Sequence, residues 1–496
     1  MTVQKIGFDN DKYLKLQTER ILSRVEQFGG KLYLEFGGKL FDDYHASRVL
    51  PGFQPDSKMR MLLKLRDQAE LVVAISADDI EKSKRRGDLG ITYDMDVMRL
   101  IDSFREFGLY VGSVVMTRFR GQHAAEIFQH KLVAMGVRVY RHYPIDDYPS
   151  NIPLIVSDDG FGKNDYIETT RPIVVITAPG PGSGKMATCL SQLYQEHRRG
   201  IRAGYAKYET FPVWNLPLKH PVNLAYEAAT VDLDDVNMID PFHLEAYGET
   251  TVNYNRDVEA FPIVQNILAR ITGDKNFYRS PTDMGVNMAG YAIFDDKVVR
   301  EAATQEILRR YYKAACDAKQ GKASEAALRK IESILQQLDV GTDSRAVMAP
   351  ALEKQRASGS PAAALQLPDG QIVTGKASDL MSASSATVLN SIKALAGIPD
   401  EVLLISQQVL VPLLRLKVDY LHSRASVLKV DDVLAGLAVS AATDETAARA
   451  LAALKDLRDC DMHSTQMLHS GDEGTLRKLG VRLTMEPVYP GKDLFF

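Results

Sequence analysis

Cysteine is scarce in this chain: Cys189, Cys316 and Cys460 are the only three in 496 residues, odd in number, far apart and unclustered. That argues against a disulfide framework or a thiolate zinc site and makes each thiol a small packed side chain. Neither charge dominates, with 60 basic residues against 64 acidic ones and a formal net charge of −4. A balanced chain has no global attraction to nucleic acid or to anionic membrane, so neither is expected as a partner. Long apolar runs are missing as well, and the first ten residues, Met1-Thr-Val-Gln-Lys-Ile-Gly-Phe-Asp-Asn10, put polar and acidic groups where a signal peptide needs an apolar core. A cytoplasmic location is expected. The sequence also lacks a fixed-period repeat and a low-complexity tract.

What is present is enough apolar material, 45% of residues with 25% charged, to build more than one hydrophobic core. Over residues 1 to about 170, apolar stretches alternate with amphipathic ones. Lys31–Phe36, Leu71–Ile75, Leu109–Val115 and Val137–Tyr140 read as strands, and the intervening helices end at Gly108 and Gly136. After Asp94, the positions Val97, Leu100, Ile101 and Phe104 share one helical face. Such alternation predicts α/β architecture: a P-loop-like or Rossmann-like, mostly parallel sheet with helices on both faces. Residues 200 to 275 carry prolines, aromatics and acids in an irregular, polar texture, as expected of a region covering a substrate. Alanine, leucine and paired charges over 297–340 predict a helical hairpin, and Arg356-Ala-Ser-Gly-Ser-Pro361 reads as a linker. The expected division is therefore 1–275, a helical insert over 276–360, and a smaller α/β domain over 361–496 that includes a strand at Val402–Ile405.

The most informative segment is Ile173-Val-Val-Ile-Thr-Ala-Pro-Gly-Pro-Gly-Ser-Gly-Lys185-Met-Ala-Thr188, a buried strand, a glycine-rich turn and a helix in succession. Backbone N–H groups of such a turn, the positive end of the helix and a lysine at its start together make a phosphate cradle. The expected contacts are Gly180, Gly182, Ser183, Gly184 and Lys185. Against the full signature G-x-x-x-x-G-K-[ST], Pro179 replaces the first glycine and Met186 replaces the hydroxyl residue. That hydroxyl ordinarily binds Mg²⁺, and a thioether does not replace oxygen for a hard cation. Thr188, two positions on, is rotated about 200° away. The identity of any metal, and its ligands, stay open.

Other candidates surround this one. Glu35-Phe-Gly37-Gly38-Lys39, followed by Asp42, Asp43 and His45, forms an acid, a glycine pair and titratable groups at a strand end, a second candidate anion loop. Acidic pairs follow apolar runs at Asp158-Asp159, at Asp232-Leu-Asp234-Asp235 and at Asp295-Asp296, and Asp232 and Asp234 are taken as candidate catalytic acids. Lys207, His220, His243 and Arg256, with Asn253 and Asn255, are candidate contacts to a polar ligand opposite the glycine loop, although each taken alone reads as a structural or surface residue. His463 and Ser464 are adjacent, so on a strand they point to opposite faces and form no nucleophile–base pair.

Leu34-Glu-Phe-Gly-Gly-Lys39 with Asp43–Phe53, Thr177–Thr188, Thr374-Gly-Lys-Ala-Ser-Asp-Leu-Met381 and His463-Ser-Thr465 together resemble a largely bacterial family, the domain-of-unknown-function family eighteen-forty-six. The resemblance covers essentially the whole chain. It implies a P-loop-like N-terminal region, a helical insert and a separate C-terminal subdomain, and it implies no reaction. The element order of the C-terminal part is similar to the cytidine-deaminase topology. The deaminase metal-ligand position falls near Val388-Leu-Asn390, however, which offers neither zinc ligand nor general acid.

These readings lead to one expectation and two rivals. The expectation is a homo-oligomeric enzyme that binds ATP or another small phosphorylated ligand at 180–185, with phosphoryl-transfer chemistry of the phosphotransferase or hydrolase kind. One rival is a phosphosugar or dinucleotide enzyme that does not hydrolyse its ligand. The other is a non-catalytic ligand-binding or scaffold protein.

Overall fold

The structure is a computed structural model that describes residues 5–37, 40, 41, 43–86, 89–422 and 427–490. It resolves into two compact units, Ile6–Ala303 and a second that starts at Thr304. The boundary falls inside the helix Asp296–Lys319.

The first unit is built on seven strands: β1 (Leu32–Phe36), β2 (Ala69–Ser76), β3 (Tyr110–Thr117), β4 (Arg138–Arg141), β5 (Ile173–Thr177), β6 (Gly204–Tyr208) and, after the short hairpin β7 (Asn237–Ile239) and β8 (Val252–Tyr254), β9 (Gly285–Val286). Their order is β4-β3-β2-β5-β1-β6-β9, and every pairing is parallel. Every residue of β1, β2 and β5 is buried, as expected of strands covered on both faces. The helix Tyr93–Glu106 turns Val97, Leu100, Ile101 and Phe104 inward, the face anticipated from their spacing. Gly108 and Gly136 follow their helices at φ +74° and +73°, the left-handed stop that glycine adopts without a Cβ clash.

Connectivity places the functional edge. The chain leaves β1 toward β2 and passes β5 on the way, whereas it leaves β5 toward β6 and passes β1. Right-handed crossovers in opposite directions put their helices on opposite faces, so the carboxyl ends of β5 and β1 flank a topological switch point. The glycine-rich turn follows β5 at that point.

The region from 200 to 275 is more regular than its polar texture implied. It holds β6, the helix Pro221–Ala229, the β7–β8 hairpin and the helices Pro241–Tyr247 and Asn255–Thr272. Proline and aspartate there act as helix starters: Pro221 and Pro241 occupy first turns, and Asp240 caps the second of these helices.

The second unit carries a four-stranded sheet in the order β11-β10-β12-β13 (β10 Ala362–Gln366, β11 Ile372–Lys376, β12 Asp461–Ser464, β13 Arg482–Met485). β10 is antiparallel to both neighbours, and β12 is parallel to β13. The hairpin β10–β11 precedes the helix Ala383–Ala396, which Ser382 caps through the Ser385 amide. Gly375 lies where that helix crosses the hairpin: a Cβ there would sit 2.4 Å from the Thr387 nitrogen. Gly375→Ala must push helix and hairpin apart and is expected to lower stability by about 1–3 kcal/mol, read as a fall in denaturant midpoint at unchanged slope. Val402–Ile405 is not a strand. Leu404 and Ile405 are consecutive and both buried in this unit's core, a pattern that a strand with one covered face does not produce.

Candidate active site

Seven residues, 178–184, join β5 to the helix Lys185–Arg198. Gly182 and Gly184 have φ of +78° and +86°, while Ser183 between them and Lys185 after them do not enter the left-handed region. Alternation of this kind turns successive backbone N–H groups toward one point, at the positive end of a 14-residue helix. The turn is braced from below. Thr117 at the end of β3 donates to the Ser183 carbonyl at 2.9 Å, and the buried Ser183 hydroxyl donates to the Gly180 carbonyl at 3.0 Å. Gly180 packs against the Tyr93 ring. Thr188 donates to the Gly184 carbonyl at 2.9 Å, so its hydroxyl is occupied within the helix. The Lys185 ammonium makes no ion pair or hydrogen bond with the described residues, although the helix it begins is otherwise rich in buried partners.

The sheet lays a polar row beneath this turn. Ser76 on β2 is in register with Thr117, Val72 with Ile176, Ile176 with Glu35, and Glu35 with Lys207. Parallel register partners share a face, and residues two or four apart on one strand do as well. Thr117, Ser76, Glu35 and Lys207 therefore project to the side on which the glycine turn rests. The Ser76 hydroxyl is fully buried, with no hydrogen-bond partner among the described residues. Tyr205 donates to Glu35 at 2.7 Å, and Cys189, four residues after Lys185, lies within the fields of both Glu35 and Lys185.

Two strands from the turn, Lys207 bridges Asp257 at 2.6 Å and Glu209 at 2.7 Å. Burial works against the Lys207 ammonium, but Asp257, Glu209 and Glu35 outweigh it and raise its pKa. Glu209, with 8% of its surface exposed, is pushed up to about 7 by burial and by Asp257 and Glu35, against the opposing pull of Lys207. Asp235 is raised by burial, with Arg256 at 3.4 Å opposing. Tyr148 is pushed up to about 12 by burial and by Glu35, with Arg118 working the other way. Arg118 itself, at the tip of β3, has φ +53°, a costly conformation for a residue with a Cβ.

The chain matches family models for the N-terminal and C-terminal parts of a domain of unknown function, DUF1846, over residues 6–339 and 343–495. It belongs to the DUF1846 family. Similar curated proteins carry the name UPF0371 protein. One from Streptococcus sanguinis strain SK36 is 54% identical over 493 residues, 99% of this chain and all of that protein. Relatives from Streptococcus thermophilus strain CNRZ 1066 and Streptococcus pneumoniae strain Hungary19A-6 are each 53% identical over the same shares. The whole-chain resemblance read from the motifs is thus the family itself, and no reaction comes with either name.

Within this DUF1846 chain the remaining candidates disperse. His45 lies in the helix Tyr44–Val49 and packs edge-on against Phe211 and Tyr226, at ring separations of 5.4 Å in both cases. Gly37 does not enter the left-handed region, and its carbonyl accepts from Lys58 at 3.3 Å. Gly38, Lys39 and Asp42 lie outside the described residues. Asp232 and Asp234 sit exposed on a 3-10 turn and its cap. Their buried neighbour Asp235 is the acid of that group that interacts with Lys207 and Asp257. None of the three acidic pairs ends a strand: Asp158 follows the helix Ile152–Ile155, and Asp295 precedes the helix Asp296–Lys319. His220 pairs with Asp296 at 2.9 Å, and His243 with the Ser280 hydroxyl at 2.8 Å.

In the second unit, His463 is buried between Thr484 at 2.9 Å and Glu486 at 3.1 Å. All three cysteines are buried free thiols. Glu209 and Asp257 were not singled out from sequence. The signal for Glu209 was available: it immediately follows the strand Gly204–Tyr208, at the same edge as Glu35. Among the described residues, no group of three or more His, Cys, Asp or Glu is placed to hold a metal ion, and no helix is long and apolar enough to cross a membrane.

Proposed function

We propose that the nest at Gly182–Lys185 binds the phosphate of a small phosphorylated metabolite and that Glu209, tuned by Lys207 and Asp257, moves a proton on the body of the same molecule. The observation that carries this reading is the alternating backbone at 182–184 opening beside an uncommitted lysine at the switch point. Two inter-strand spacings, about 10 Å, separate the turn after β5 from the carboxylates after β6, a reach that suits a phosphosugar with its phosphate in the nest. A carboxyl titrating near neutrality can both accept and donate a proton at working pH. Phosphoryl transfer from ATP ranks second. The hydroxyl that would hold magnesium at the turn is replaced by Met186, and Thr188 is engaged with the Gly184 carbonyl.

Calorimetric titration with inorganic phosphate, glucose 6-phosphate, ribose 5-phosphate and ATP tests the binding half. Lys185→Ala is expected to weaken the tightest of these at least about tenfold, the loss of one charge-assisted contact, while leaving the ligand-free melting temperature unchanged. If the unmodified protein binds none of the four, the reading fails.

Glu209 gives a pH signature that is independent of any ligand. Its folded carboxyl, at about 7, lies above the ordinary value of 4.5, so folding favours the protonated form. The resulting stability is full below about 4.5 and is lost as pH rises through about 7. Glu209→Gln removes this titration and is expected to flatten the decline in melting temperature between about pH 4.5 and 7.

A further inference from the structure

In the second unit, the nine-residue helix Gln407–Arg415 buries none of its residues, although six of the nine are Val, Leu or Pro. It widens into a π-helical turn over Leu416–Tyr420, also without a buried residue. Val409, Leu410 and Leu414 lean on this unit's core, so the segment is anchored on one side. The other side is open. Leu403, Tyr420 and Leu421 are 73%, 75% and 68% exposed, and Val411, Leu416 and Val418 are exposed beside them. Exposed apolar side chains grouped along one segment in this way mark an interaction surface.

We infer that Leu403–Leu421 is a homodimer interface, in which two copies of the chain pair this segment about a two-fold axis near Lys417. The charges select a second copy over other occupants. Arg415 and Asp419 are exposed and make no ion pair with the described residues, whereas Lys417 between them is already bound to Asp432. In an isologous contact, residue i meets j and j meets i. Running the segment antiparallel to itself about position 417 sets Arg415 against the partner's Asp419 twice, and Leu416 and Val418, on opposite flanks of that contact, each lie beside their own counterpart in the second copy. A lipid surface suits the segment less well, because Asp419 would face anionic headgroups.

Sedimentation equilibrium of the full chain tests the pairing. A dimer is expected. Leu416→Glu should shift it to monomer, and Arg415→Asp or Asp419→Arg alone should raise its Kd about tenfold or more. The double exchange Arg415→Asp with Asp419→Arg should restore the original Kd, which no merely structural effect would do. All three substitutions lie on exposed positions, and circular dichroism confirms that the variants are folded. A monomeric parent protein, a dimer indifferent to Leu416→Glu, or single exchanges that the double does not rescue would each overturn the proposal. So would a monomer that co-sediments with phosphatidylglycerol vesicles.

Discussion

Lys207→Met is expected to be the most destabilising single change at the candidate site, costing about 3–5 kcal/mol. Glu209 and Asp257 lie within 2.7 Å of the ammonium, Glu35 adds to the same field, and all are largely buried. Removing the cation leaves like charges facing one another with little water to screen them. Glu209 responds by taking up a proton, which moves its folded pKa further above that of the unfolded chain. A raised carboxyl pKa gives stability at low pH that is lost as pH rises through the folded value. The deficit of Lys207→Met should therefore be smaller at about pH 5 than at about pH 8, and adding Glu209→Gln should recover part of it. Chemical denaturation of the parent, single and double variants at both pH values checks the sign and the rescue. A deficit independent of pH would mean that Lys207 acts through packing alone.

Gly184→Val is the second large effect, and it falls on stability and binding together. At φ +86° a branched side chain is strained, and a Cβ would lie 2.9–3.1 Å from three atoms of Thr117. Thr117 cannot yield freely, because its hydroxyl holds the Ser183 carbonyl. The expected cost is about 2–4 kcal/mol. Relief of the clash must flatten the alternation that aims the N–H groups, so phosphate binding should vanish even below the melting transition. The contrast with Lys185→Ala is informative. The lysine variant should lose affinity at full stability, and the glycine variant should lose both.

The architecture was legible where local pattern and burial agree. Ile173–Ile176 is apolar throughout because both faces of β5 are covered, and the stripe at Val97, Leu100, Ile101 and Phe104 is the helix's buried face. The pattern failed at Val402–Ile405, where Leu404 and Ile405 plug the core while Leu403 is exposed, because four apolar residues fit either a ladder or a plug. It also misjudged 200–275, where Pro221 and Pro241 start helices instead of breaking order. At the site, the turn could be read from its glycines, since the sequence itself encodes φ > 0. The Lys207–Glu209–Asp257 cluster could not. Asp257 reaches it from a helix some 50 residues downstream, and only the parallel register of β1, β5 and β6 brings Glu35 alongside. Asp232 and Asp234 drew attention as an acidic run, yet Asp235 is the buried member, a distinction that depends on turn geometry.

The central claim is that Gly182–Lys185 holds a phosphate. The most direct measurement is a crystal structure of the protein with glucose 6-phosphate, extended to the other probes that bind in solution. The phosphate oxygens are predicted within hydrogen-bond distance, about 2.7–3.2 Å, of the backbone nitrogens of Gly182–Lys185, with the Lys185 ammonium on the same group and the sugar directed toward Glu209. A probe bound in solution whose phosphate lies elsewhere in the crystal, with the turn at 180–185 untouched, would contradict the account.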